Sequence, residues 1–330
     1  MKKIILLIIV VSTVFTSCKS DFDLNAPYKE TMVVYGFLNS ADTIAQYIRI
    51  SKAFLGEGNA LIMAQQPDSI NYADILDVKL EEILNGSSIN TYQLERVDSI
   101  PKDAGLFAYP YQVYYLLKNQ RVNSTSMYRL TIRNTQTGNT ASSLTRIVKD
   151  LNSSIDIDNP SAADADFAPA NMFSVKFRPV SNGKVYDVVI RFYYTEDSAG
   201  ILSYHFVDWN FPDQFVSSTN DIIFPYYRPD FYRLLANSIP FKSGVTRVPG
   251  NSSLGYPPME FQILAGTEDF HTYLELNSSS NTSLQDPPLF TTVENGVGLF
   301  TSRLIHIERR NLTQRSIDTL FEGHLTKDLF

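Results

Sequence analysis

VYDVVIRFYYT, residues 185–195, decides the fold class. Its polar and apolar side chains alternate, and its Val, Ile, Tyr and Phe content suits a pleated, half-buried surface. Residues 173–180 just before it read as another strand, and Ser181-Asn182-Gly183-Lys184 between the two has hairpin-like turn chemistry. The same pattern fills the first half of the chain. In QYIRIS (46–51), Tyr47, Arg49 and Ser51 share one face, and Ile48 and Ile50 take the other. Further strands are predicted at 31–38, 75–84, 89–97, 109–117 and 127–133. Asn39-Ser40-Ala41-Asp42, Asn85-Gly86 and Lys102-Asp103-Ala104-Gly105 supply turns between them. This spacing predicts an Ig-like β-sandwich over residues 31–150, interrupted by one short helix at 59–66.

Residues 151–170 (LNSSIDIDNPSAADADFAPA) hold few large apolar side chains and read as a linker. The remainder, 171–330, is expected to form a second mainly-β domain with a few short helices. Helices are predicted at 229–238, where Pro229 suits a first turn, and at 267–276, where Thr267 can cap and Glu268 and Asp269 favour the positive end. In the second helix Phe270, Tyr273 and Leu274 share a face. Strands are expected at 298–308 and 316–321.

The first residues concern address rather than fold. Lys2 and Lys3 precede an unbroken apolar run from Ile4 to Val11, and small residues lead to Cys18. That order is a secretory signal, and the run is shorter than the roughly 20 residues a membrane span needs. Cys18 is the only cysteine, which excludes an intrachain disulfide and a multi-thiolate zinc site. Phe15-Thr16-Ser17-Cys18 resembles a lipobox, with Phe15 departing from the usual Leu or Val. A lipidated Cys18 would anchor the chain through its acyl groups, at about 0.8 kcal/mol per buried methylene. The sequence therefore predicts a signal peptide at 1–17, a lipidated cysteine and tether at 18–30, and a lipid-anchored outer-membrane protein of the cell envelope, on its periplasmic face or the cell surface. Asp21 and Asp23 in the tether resemble a surface-export signal of Bacteroidota lipoproteins. The formal charge of −7, lower still without Lys2 and Lys3, and the lack of a polybasic stripe argue against nucleic-acid partners.

Two longer stretches carry a family resemblance. VVYGFLNSADTIAQYIRISKAFLGEGNA (33–60) resembles the opening of the DUF4249 family of Bacteroidota lipoproteins, and DPPLFTTVENGVGLFTSR (286–303) resembles its closing motif. The resemblance implies an accessory role near TonB-dependent outer-membrane receptors, and it brings no catalytic residues. Physically, Asn295, Gly296 and Gly298 can adopt strained dihedrals while Phe300 packs inward, as a turn or bulge at the start of a strand requires.

Chemical motifs are sparse. HExxH and the phosphate-binding glycine loop are missing, and the 250–255 stretch (GNSSLG) misses nucleophile-elbow spacing by one residue and reads as a loop. His205, His271, His306 and His324 show no local metal-ligand spacing. Asp156 and Asp158 begin like an EF-hand loop, but Pro160 occupies a ligand position. No metal, cofactor or catalytic residue is expected. The remaining clue is an aromatic crowd over 204–232, from which Trp209, Phe211, Phe215, Tyr226 and Tyr227 form a candidate binding surface, the alternative being that these rings fill the core. The expected function is a non-enzymatic envelope lipoprotein that binds a ligand or partner beside an outer-membrane receptor. A structural adaptor, or a hydrolase with a site assembled from distant residues, are the alternatives. Replacing Cys18 with Ala is expected to release the protein from membranes; its retention in detergent-free membrane fractions would count against lipid anchoring.

Overall fold

A computed structural model describes residues 30–53, 60–105, 107, 111–151, 156–157, 164–277 and 290–330. The expected signal peptide at 1–17, Cys18, Asp21, Asp23, Asp158 and Pro160 lie outside the described residues. In chain order the elements are β1 (Met32–Leu38), β2 (Ala45–Lys52), α1 (Ala60–Ala64), α2 (Pro67–Ile70), β3 (Leu76–Leu84), β4 (Ser87–Gln93), β5 (Glu95–Pro101), β6 (Tyr111–Lys118), β7 (Met127–Asn134) and β8 (Thr140–Arg146). They continue with β9 (Asp156–Ile157), β10 (Asp164–Ala165), β11 (Met172–Phe177), β12 (Val185–Ser198), β13 (Ile201–Asn210), β14 (Gln214–Phe215), β15 (Ile222–Tyr227), α3 (Asp230–Ser238), β16 (Val245–Pro249), β17 (Met259–Gly266), α4 (Glu268–Asn277), β18 (Gly296–Leu312) and α5 (Gln314–Glu322). The protein is mainly β and of sandwich type, as the alternation in the sequence predicts. Among the described residues no helix is long and apolar enough to cross a membrane.

The first module is a two-sheet sandwich. One sheet runs β18-β1-β2-β6-β5, and the other runs β4-β3-β7-β8. Alternating side chains from both inner faces, among them Val34, Ile48, Ile50, Val78, Leu80, Tyr115, Leu130 and Ile132, fill the space between them. The segment expected as one strand at 89–97 is two. β4 pairs with β3 and β5 pairs with β6, so the chain changes sheets at Leu94, whose side chain is buried and whose N–H donates to Val78 O at 3.0 Å.

The second module is built on β13-β12-β17-β18. Tyr186, Val188, Ile190 and Phe192 project from one face of β12 and pack with Phe261 and Ile263 of β17. A small sheet, β15-β11-β9, covers this core with Phe177 and Phe224, while α3 adds Phe231 and Leu235 and α5 adds Leu320. β11 and β12 do not form the expected hairpin. The turn at 181–184 exists, with Asn182 at φ 65°, but it carries the chain between two sheets. Tyr186 Oη accepts the Val180 N–H at 3.0 Å across this turn, and a Cβ on Gly183 would lie 2.2 Å from that hydroxyl. The strand expected at 316–321 is helix α5, because Thr313 caps it by accepting from Ser316 N and Leu320 turns inward.

Part of the expected linker is also folded. β10 pairs in parallel with the end of β18, and Phe167 lies fully buried, stacked on Phe231 at 4.4 Å. The Asp166 carboxylate accepts from Thr313 and Ser316 at 3.1 Å each, which ties this segment to the start of α5.

β18 belongs to both modules. Gly296–Ser302 pairs in parallel with β1, and Arg303–Arg310 pairs antiparallel with β17. Phe300 therefore sits in the first core and Leu304 in the second. A division of the chain at 151–170 leaves Val293 and Phe300 in the first core and Val148 in the second, and it cuts across the sheet that joins them.

The closing motif starts this strand. Asn295 has φ 54° and Gly298 φ 116°, and a Cβ on Gly298 would lie 2.0 Å from Val34 O. Gly296 is outside the left-handed region; its constraint is space, with Met32 O 2.9 Å from a would-be Cβ. Gly298→Ala is expected to destabilise the protein by about 3–5 kcal/mol, through strain and a backbone clash together. Chemical denaturation measures this, and a loss under 1 kcal/mol would show that the β1–β18 contact relaxes freely.

Candidate functional site

The outer face of the joined sheet carries a groove of about 510 Å³. Its floor follows from strand parity. In β1 the alternation that buries Val34 and Leu38 turns Tyr35 and Phe37 outward, and in β2 the burial of Ile48 and Ile50 turns Tyr47 and Arg49 outward. Tyr114 of β6 lies opposite Arg49, and its ring meets Tyr47 edge-on at 6.0 Å. Arg303 and Ile305 of β18 form the far side.

The turn after β1 makes the rim. Gln46, 1% exposed, accepts the Asn39 N–H at 2.8 Å and donates to Asn39 O and Asp42 O at 3.1 Å each. Asp42 in turn accepts from the backbone of Ile44 at 2.8 Å and Ala45 at 3.2 Å. Its carboxylate is thereby engaged in holding the turn. Helix α4 lies beside the groove, with Phe270 edge-on to Phe37 at 5.5 Å and Tyr273 edge-on to Tyr35 at 6.4 Å.

Charge is poorly compensated beneath this helix. The Arg303 guanidinium lies 5.6 Å from the centre of the Phe270 ring, and its Nε is buried without a hydrogen-bond partner. Burial pushes the Arg303 pKa down, opposed by the charge of Asp187. Asp187 of β12 is on the same face, and its Oδ1 is also buried without a partner. Burial raises the Asp187 pKa, Asp213 adds to the rise, and Arg303 only partly offsets it. The two charges therefore sense each other without meeting, an arrangement that costs stability.

The aromatic residues singled out in the sequence lie elsewhere. Trp209, Phe211 and Tyr226 do come together, with Trp209 5.3 Å from Phe211 and 5.4 Å from Tyr226, but they extend the second core. Tyr226 is 4% exposed, because the alternation of β15 turns Ile222, Phe224 and Tyr226 inward; it is not part of a surface. Phe215 is exposed and stacks on His271 at 4.4 Å, and Tyr227 lies 5.9 Å from the Arg233 guanidinium. These five residues form no common cleft. The groove residues Tyr47 and Arg49 were visible in QYIRIS as one polar face, but nothing local in the sequence joins them to Arg303.

One constellation has the residue types of a hydrolytic triad. Ser203 Oγ lies 2.9 Å from His205 Nε2, and Glu196 Oε2 lies 3.5 Å from the same nitrogen. A relay needs the acid on the opposite ring nitrogen from the nucleophile, so this arrangement is not one. Glu196 instead pairs with Lys242 and Arg247, each at 2.8 Å, and Arg247 donates to Leu329 O, which fastens the end of the chain. His306 bridges the modules, 3.0 Å from Asp150 and 3.8 Å from Glu308. Among the described residues no three His, Cys, Asp or Glu side chains are grouped as a metal site.

No family model and no curated protein matches the chain. Among solved structures, a chain of a cytokine receptor complex is similar over 86% of this chain and 99% of that chain, at 7% identity and a TM-score of 0.22. A likeness that slight carries no argument.

The Asp187 environment predicts a definite pH dependence. A raised folded-state pKa means that the unfolded chain ionises first as pH rises, so stability falls through that interval and stays lower above it. Asp187→Asn removes this dependence. Its stability relative to the parent protein should therefore improve as pH rises from about 4, levelling off above the raised pKa. Thermal melts of both proteins across that range test this; an opposite trend would mean that Asp187 is effectively ion-paired.

Proposed function

We propose that the protein is a non-catalytic lipoprotein of the cell envelope, anchored to the outer membrane through lipid on Cys18, which binds a partner with the groove on its joined sheet. The groove carries this reading: it gathers exposed or half-buried Tyr35, Phe37, Tyr47, Arg49 and Tyr114 on a rigid strand platform. Tyrosine and arginine are the side chains that concentrate binding energy at protein interfaces, because they offer large contact area with a polar tip and lose little entropy per contact. The signal peptide, the placement of Cys18 and the resemblance of residues 33–60 and 286–303 to DUF4249 lipoproteins of Bacteroidota support the address. They also support an outer-membrane receptor of the TonB-dependent kind as the partner.

A second reading, as a structural adaptor, draws on β13. This strand is the terminal strand of its sheet and pairs without interruption with β12 over ten residues. Ile201, Leu202, Tyr204 and Phe206 along it are exposed, and it lacks the Pro, Lys or bulge that usually blunts an edge. Such an edge suits addition of a partner's strand.

The two readings separate in one experiment. The protein is affinity-purified from gently solubilised envelopes as the parent chain, as Tyr47→Ala/Arg49→Ala, and as Phe206→Pro. Loss of a co-purifying receptor in the groove variant alone supports the first reading. Loss in the Phe206→Pro variant alone moves the contact to the sheet edge. Recovery of the parent protein with no stable partner counts against both.

A further inference from the structure

We infer that the groove takes an acidic segment of a partner protein, with partner carboxylates met by Arg303 and by Arg49 and an adjoining apolar side chain laid against Tyr47. The inference rests on the proposed partner-binding role of this groove and names the chemistry it selects.

The charge of the site carries the argument. The chain is acidic overall, yet the ionisable side chains lining this groove are two arginines, three tyrosines and one aspartate. That aspartate, Asp42, holds its own turn through one carboxylate oxygen and keeps its charge, so two arginines against one aspartate leave the lining with a net positive charge. No carboxylate pairs with Arg49 or Arg303 among the described residues, whereas most of the other arginines described have an acidic partner within 4 Å, as Arg191, Arg247 and Arg309 do. Arg303 is the more telling of the two. It is largely withdrawn from water, its Nε is orphaned, and its nearest counter-charge, Asp187, does not reach it. A guanidinium held in this way has already lost much of its hydration, so an arriving carboxylate gains a charge-assisted hydrogen bond at little further desolvation cost.

The surroundings favour a peptide over a free anion. Phe270 lies beside the guanidinium and edge-on to Phe37, while Tyr47, 46% exposed, presents a ring that a small anion would leave uncovered. Ile305 extends the apolar wall beyond Arg303. A carboxylate next to an apolar or aromatic side chain would occupy both parts, and its backbone could follow the open length of the groove.

The test uses the full mature chain, purified in detergent, and a phage-displayed library of random dodecapeptides as probe. The expected result is enrichment of peptides with Asp or Glu beside an aromatic or aliphatic residue. A selected peptide should then lose at least tenfold in affinity when its acid is changed to the amide, and similarly against Arg303→Gln or Arg49→Gln protein. Combining the peptide change with Arg303→Gln should cost little more than either alone, since both remove one contact. Binding should also weaken with added salt. Unchanged melting behaviour of Arg49→Gln, which sits at the surface, separates loss of binding from loss of fold. Enrichment of neutral peptides, or full affinity in both arginine variants, would overturn the inference. So would binding of oligogalacturonate with no peptide enrichment, which would make the groove a site for acidic sugars. Co-purification of a receptor that survives both arginine substitutions would leave the partner-binding role standing while removing this chemistry from it.

Discussion

The hydrogen bonding of β18 is the constraint on which the rest of the structure depends. Seventeen residues run as one strand, and their neighbours change at a single step, from β1 beside Ser302 to β17 beside Arg303. Each module would otherwise bury its own core around its own sheets. Because one strand supplies Phe300 to the first core and Leu304 to the second, the cores share a rigid backbone. The strand can start where it does only because Gly298 lets it approach β1 more closely than any side chain permits. His306 with the Asp150 and Glu308 carboxylates adds a polar clasp at the same junction, supported by Arg121 on Asp150 and Arg310 on Glu308.

The groove is a consequence of that handover. β1 stops pairing at Leu38, and the chain rises into the turn pinned by Gln46, while β18 continues. Past this point, among the described residues, β18 pairs with β17 alone until β10 joins at Asn311. Arg303 and Ile305 lie in the gap. The step in the sheet thus places a cation next to the aromatic face of β1 and β2, and α4 closes over it from the other side through Phe270. The close fit of this helix is visible at Gly266, where any Cβ would collide with the Phe270 ring.

Local pattern in the sequence reached most strands and two of the longer helices, because parity and capping are nearest-neighbour properties. Val185–Ser198, Met32–Leu38 and Met127–Asn134 are where alternation puts them, and Thr267 caps α4 by accepting from Phe270 N at 3.3 Å. What the pattern could not carry was which sheet a strand joins. Residues 89–97 contain no turn residue pair to divide them although Leu94 marks a change of partner, and 316–321 has a β-like composition although Thr313 and Leu320 make it a helix. The aromatic segment was open to two readings, a binding surface or core, for a related reason. Its density signalled a special place, but the inward parity of β15 and its packing on Trp209 and Phe211 make much of it core. The candidate site was least legible, since Arg49 and Arg303 stand some 250 positions apart and only the pairing of β1 with both β2 and β18 brings their strands together.

The Arg303–Asp187 arrangement bears on why the site sits at this junction. Replacing both residues with apolar ones of similar volume would suit a half-buried sheet face and relieve two orphaned polar atoms. Retaining them lowers stability locally, and a fold of this kind tolerates such a loss best where its backbone is most firmly held. β12 and β17 are paired in register with each other, β17 is paired with β18 through Arg303, and the second core braces all three from beneath, with Phe300 of β18 anchored in the first. A desolvated guanidinium is useful for recognition only if the platform does not shift to satisfy it, so the rigidity that β18 confers and the uncompensated charge beside it are two halves of one arrangement.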